Sequence, residues 1–213
     1  MTDAPEPDRR FRRPARLDPQ EADKIPGALA PELRAEVAHR TAAALVNEAR
    51  ATQDPEVAER LVRLVETEGL DVVAALWADA APVTLPGALW RLYVLREWVR
   101  RDPATVSLRF TLGVAHAPVH EAIAGAAGMS PDDMHRLADA VLSGVFTGDL
   151  DVALERAAAF CRVLATGAAH DADGVDLTDA DRAVRMTRGA ASLLRTAEEL
   201  EDGARLWRAG TLD

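Results

Sequence analysis

The sequence predicts an all-α protein, a multi-helix bundle of about eight to nine helices or an array of helical hairpins, behind a disordered N-terminal tail. Three observations carry that prediction. Alanine, leucine, arginine, glutamate and valine dominate while aromatic residues make up 4% of the chain, a composition that favours helix over strand. Prolines stand at the heads of apolar runs whose spacing is three to four residues. No stretch alternates apolar and polar residues over the length a half-buried strand needs. At 213 residues the chain suits one domain with a short appendage, assigned here as a tail over 1–24 and a single helical domain over 25–213.

The tail is assigned first. Pro, Asp, Glu and Arg crowd it and only Phe11 and Leu17 are large apolar side chains before Ile25, too little to offset the entropy of ordering. Within it Arg9, Arg10, Arg12, Arg13 and Arg16 surround one aromatic, a pattern able to grip phosphate or an acidic partner. Asp3, Glu6, Asp8 and Asp18 dilute that charge, so a solvated tail is the leading reading.

Pro31 opens a helix expected to run to about Gln53. Asp54-Pro55 caps and opens a second, with Val57, Leu61, Leu64 and Val65 at helical period before Gly69, and a short helix follows from Asp71 to Trp77. A loop over Pro82 to Pro86 precedes the most apolar segment. There Ala88, Leu92, Leu95 and Val99 form one stripe and Trp90, Val94 and Trp98 another, so the helix is expected to be central and to meet neighbours on two sides. Asp102-Pro103 starts the next helix, which Pro118 interrupts. Ser130-Pro131-Asp132-Asp133 resembles a capping box for a helix to about Phe146. Gly148-Asp149 then precedes an amphipathic helix carrying Leu150, Leu154, Ala157, Cys161 and Leu164. A polar loop is expected from Gly167 to Leu177. Thr178 with Asp181 forms a second box for a long final helix with Leu193, Leu194, Ala197 and Leu200 inward. The echo of Ile25-Pro26-Gly27-Ala28-Leu29 in Leu85-Pro86-Gly87-Ala88-Leu89 is too short to mark a repeat.

A net charge of −10 opposes general nucleic-acid binding unless basic residues concentrate on one face or in the tail. Cys161 is the only cysteine and has no partner for an internal disulfide. Neither a secretory leader nor a membrane-spanning run is evident, which places the expected location in the cytoplasm.

Chemistry is sparse. Glu36-x-x-His39 and Asp132-x-x-His135 have the carboxylate–histidine spacing from which helical bundles build di-metal sites, but further inward carboxylates, from Glu66, Glu97 or Glu155, would be required. His116 and His120, with Glu121 adjacent, share a helical spacing that Pro118 disrupts. His170-Asp171 matches a dipeptide of metal phosphohydrolases without their other ligands. The Asp171 to Asp176 stretch departs from a calcium loop because Gly174 and Arg182 stand at the wrong places. Ser130 is better placed as a cap than as a nucleophile, and Cys161 sits on an apolar face. No cofactor is expected, since neither a phosphate-binding glycine loop nor a dinucleotide fingerprint is present.

The candidate binding surface is aromatic. Trp90, Tyr93, Val94 and Trp98, with Arg91 and Arg96 close in sequence and Trp77 upstream, suit either a partner interface or a pocket for a flat ligand, even an anionic one. At Leu85-Pro86-Gly87-Ala88-Leu89-Trp90 and at Phe146-Thr147-Gly148-Asp149-Leu150 through Ala159-Phe160-Cys161 the chain resembles an uncharacterised all-helical family of high-GC bacteria. That resemblance implies a fold and no active site. The expected function is therefore a non-enzymatic helical adaptor or regulator acting by self-association or protein-partner binding. The alternatives are a small-molecule-binding module with an aromatic and arginine-lined pocket, and a metal-dependent helical-bundle enzyme.

Overall fold

Alanine-rich runs and proline-led starts become five helices in the computed structural model, which describes residues 30–52, 75–116 and 150–213. They are α1 (Pro31–Thr52), α2 (Leu85–Arg101), α3 (Pro103–His116), α4 (Leu150–Asp176) and α5 (Ala180–Arg208). A helical turn at 75–77 precedes α2, and no strand occurs among the described residues. The helices expected from Pro55 to Gly69 and from Ser130 to Phe146, on which the count of eight to nine depends, lie outside the described residues. So do the arginine tail, the Pro118 break and the Gly148-Asp149 cap.

The scaffold is the α4–α5 hairpin. Its two long helices run antiparallel across a three-residue connection at 177–179, and their register is marked by ion pairs midway along α4 and at the open end of the hairpin. Arg162 forks onto Glu201 with nitrogen–oxygen distances of 2.9 and 2.6 Å. Arg208 in the last turn of α5 reaches Asp151 and Glu155 in the first turns of α4, each at 2.7 Å. Hydrogen bonds from Arg208 hold both carboxyls below their ordinary values of 3.8 and 4.5 and raise the guanidinium. A lowered folded-state carboxyl pKa contributes stability above the unfolded value and loses it as pH falls through the folded one. The gap in melting temperature between the wild type and R208Q is therefore expected to be widest near neutrality. It should close as pH drops below 4.5 and then 3.8, and it should shrink in high salt, as for any exposed pair. Thermal melts across that range check it.

Helix α4 continues straight through the polar loop expected from Gly167 to Leu177 and ends at Asp176. Gly167 is not a stop. It is the point where α3 crosses α4 at backbone contact, with a Cβ at this position falling 2.6 Å from the Arg109 carbonyl carbon and 2.9 Å from the Gly113 nitrogen. Gly113 is the reciprocal contact, its own Cβ position lying 2.8 Å from Val163 Cγ1. Buried Ala168 and Ala172 then carry the helix onward. The cap of α5 also differs from the Thr178 box: Asp179 is the N-cap, its carboxylate accepting from the Arg182 amide at 2.9 Å, while the Thr178 hydroxyl donates back to Val175 at 3.0 Å.

Helix α2 touches α1, α3, α4 and α5 and joins the two apolar clusters. Thr84 caps it by accepting from the Gly87 amide at 3.3 Å, so Pro86 stands inside the first turn rather than in the preceding loop. Gly87 packs against Ala81, whose carbonyl a side chain at 87 would meet. The larger cluster gathers Ala42, Trp77, Leu92, Leu154, Ala197 and Leu200 among others, and Trp77 donates its indole N–H to Thr41 at 3.1 Å. The smaller one surrounds Phe110 and Phe160, whose ring centroids are 5.4 Å apart.

Candidate functional site

The two stripes of α2 have different fates. Ala88, Leu92 and Val99 are buried in the clusters, whereas Trp90 and Trp98 are half-buried and Val94 remains 44% exposed. The second stripe meets neighbours through its indoles, Trp90 packing against the larger cluster and Trp98 against the smaller, and it also forms one wall of an open groove of about 400 Å³. Leu193 and Thr196 of α5 line the groove with it, as do Leu95, Cys161, Ala78, Ala80 and Pro82.

Spacing explains this wall. Positions 90, 94 and 98 are four residues apart and project from one face of a helix, where indole and isopropyl groups present a large apolar area with little conformational entropy to lose. Tyr93 is off this face but stacks on Trp90, centroid to centroid 5.6 Å, and so fixes the indole plane that the groove presents. Cys161 is fully buried, and desolvation pushes its thiol up to about 12. A thiol so protonated is a packing group with no nucleophilic role.

The arginines do not supply a free positive charge. Arg91 lines the groove, but its Nε lies 2.6 Å from Glu199 and its Nη1 donates to the Gly87 carbonyl at 3.0 Å. Arg96 is buried away from the groove lining, with Nη1 3.5 Å from Glu97. Of the two arginines expected beside the aromatic surface, Arg91 thus lines the groove already paired and Arg96 does not line it, and the remaining lining is mainly apolar. Trp77, read with the pocket aromatics, belongs to the core. Glu199 and Thr196 are the contributors that sequence reasoning missed, because each lies about a hundred residues from its α2 neighbours and no local spacing announces them.

Metal chemistry finds no assembled site among the described residues, where no group of three potential His, Cys, Asp or Glu ligands converges. Glu36 pairs with Arg40 at 2.6 Å, and His39 Nδ1 is 2.8 Å from its own helix's Ala35 carbonyl. Glu97 is taken by Arg100 and Arg101 as well as Arg96, and Glu155 by Arg208. Asp132, His135, His120, Glu121 and Glu66 lie outside the described residues, as does Ser130. His116 stacks on His170 at 3.8 Å, and Asp171 faces Arg109 at 3.5 Å, both on the continuous α4 rather than in a calcium-type loop.

A second hollow of about 380 Å³ lies between α1 and the C-terminal strap, lined by His39, Ala43, Val46, Leu85, Trp207 and Leu212. The strap is held by a 2.7 Å bond from the Leu85 amide to the Asp213 carbonyl and by burial of Leu212. No helix among the described residues is long and apolar enough to cross a membrane. No family model, no curated protein and no solved structure matches the chain, and the site is therefore defined by its own geometry.

Proposed function

We propose that the protein is a non-enzymatic helical binding module whose α2–α5 groove receives a neutral, largely apolar small molecule. One observation carries the reading: a groove of about 400 Å³, walled by two indoles, valine and leucines, whose lining arginine is already paired with Glu199. Volumes of this order suit small ligands, and such sites combine apolar walls with few polar groups. The polar group here is Thr196. Its hydroxyl hydrogen goes to the Ser192 carbonyl at 3.0 Å, which leaves the oxygen as an acceptor for one donor on the ligand.

A titration with the neutral dye Nile red tests this. Dye emission is expected to shift to the blue as tryptophan emission is quenched. V94E should weaken binding by about tenfold or more by placing a charge in the apolar wall. Because Val94 is 44% exposed, that change is expected to alter stability by less than about 1 kcal/mol in urea melts. Equal affinity of V94E and the wild type would sink the reading. The adaptor reading keeps one supporting observation, the exposure of Val94 at the groove mouth beside two large indoles, a composition that also suits a partner's apolar side chain. Protein-concentration-dependent mass that V94E abolishes, with no dye binding by the wild type, would favour it.

A further inference from the structure

Among the described residues, arginines are in general paired with carboxylates: Arg34 with Asp79, Arg91 with Glu199, Arg109 with Asp171, Arg162 with Glu201, Arg205 with Asp202 and Arg208 with Asp151. The first half of α5 breaks this pattern. Arg182, Arg185, Arg188 and Arg195 are all exposed and none has a carboxylate partner among the described residues. Away from α5, Arg156 shares that condition.

Steps of three, three and seven residues keep the four guanidinium groups on one flank, within about 140° of arc and along roughly 20 Å of helix axis. Beside that flank runs a second strip. Val184 and Leu194 are 49% and 42% exposed, with exposed Ala191 between them. A chain of net charge −10 thus places four unpaired arginines on the solvent side of one helix, where they meet the exposed apolar strip along a seam of Arg188, Arg195, Val184 and Ala191, with Asp181 and Glu198 the exposed carboxylates on that side.

We propose that this outer face of α5 docks an acidic amphipathic helix of a partner protein. Charge complementarity selects the occupant. A helix of about four turns matches the 20 Å strip, with Glu or Asp on one side against the arginines and aliphatic residues on the adjoining side against Val184 and Leu194. A phosphodiester backbone would satisfy the arginines but leave the apolar strip in water, and the chain's overall negative charge would repel it. The surface is separate in kind from the groove, whose arginine is neutralised and whose ligand is uncharged.

The test uses the full chain and a fluorescent synthetic peptide of about 18 residues, with glutamates on one helical face and leucines on the adjoining face. A scrambled peptide of the same composition serves as control. The ordered peptide is expected to bind with micromolar affinity at low salt and more tightly than the scrambled one. Its affinity should weaken about tenfold between roughly 50 and 300 mM salt. The R182E/R185E/R188E/R195E variant is expected to lose at least about tenfold while keeping its helical circular dichroism and its melting temperature, since all four positions are solvated; R156E should bind as the wild type does. Absence of binding, equal binding by the quadruple variant, or no preference for the ordered peptide would overturn the proposal. So would tighter arginine-dependent binding of short duplex DNA or of phosphatidylserine vesicles. Unchanged Nile red binding by the quadruple variant separates this outcome from failure of the groove reading.

Discussion

Replacing Gly167 with alanine is expected to destabilise the fold by about 3 kcal/mol or more, although alanine is the better helix former by about 0.5–1 kcal/mol. The added methyl group would enter the Arg109 peptide of α3, and a backbone carbonyl has no rotamer by which to yield. Relief therefore requires α3 and α4 to move apart, which loosens the packing of Phe110 against Phe160. G113A is expected to act the same way through the Val163 carbonyl and side chain. The double variant should cost less than the sum, because one separation relieves both clashes. Gly189 provides the contrast within the same molecule: it is exposed in mid-helix with open space around it, and G189A is expected to stabilise by about 0.5–1 kcal/mol. Urea unfolding of the four variants checks these signs. A G167A protein as stable as G189A would show that the α3–α4 crossing is wider than described.

Phe110→Ala has the other large expected effect, a loss of about 3–5 kcal/mol. The ring is fully buried in the smaller cluster, between Val99, Val106, Val163 and Leu164 and against Phe160. Neighbours fixed by the glycine crossing have little room to collapse into the space, which places the loss toward the upper part of that range. Stabilities of single domains are about 5–15 kcal/mol, so the change removes a large share of the total. A fall in melting temperature of roughly 10 °C is expected by calorimetry. F110L, which keeps most of the volume, should fall by about a third as much. Loss of the Phe110 ring without measurable destabilisation would mean that α3 is not anchored through this cluster.

The all-helical class and the starts of α1 at Pro31 and of α3 at Pro103 were legible because proline and an Asp cap act locally, within a turn of the residues they govern, whereas the Thr84 cap that draws Pro86 into α2 was not read. The α2 stripe of Trp90, Val94 and Trp98 was legible for the same reason, since period alone places them together. What covers a stripe is a tertiary fact, and period cannot say whether it meets a helix or borders a groove. Gly167 shows the opposite failure. Intrinsic propensity reads glycine as a stop, yet here its missing side chain is what lets two helices touch. Leu194 was placed inward with Leu193, but adjacent helical residues point about 100° apart, and only Leu193 reaches the groove. Arg91 looked available because Glu199, its partner, is 108 residues downstream. The exposed arginines of α5 were in plain view, but their significance depends on the pairing of arginines elsewhere, which only the folded chain reveals.

The larger cluster draws on residues from Ala38 to Leu212, and the Leu85 amide donates to the Asp213 carbonyl. A ribosome delivers α1 and α2 well before the hairpin that shelters them. Until α4 and α5 emerge, Trp77, Trp90 and Leu92 stand as sticky surface on a nascent chain, a target for chaperones and a hazard for aggregation. That hairpin supplies Leu154, Ala197 and Leu200, against which the earlier side chains are buried in the finished cluster.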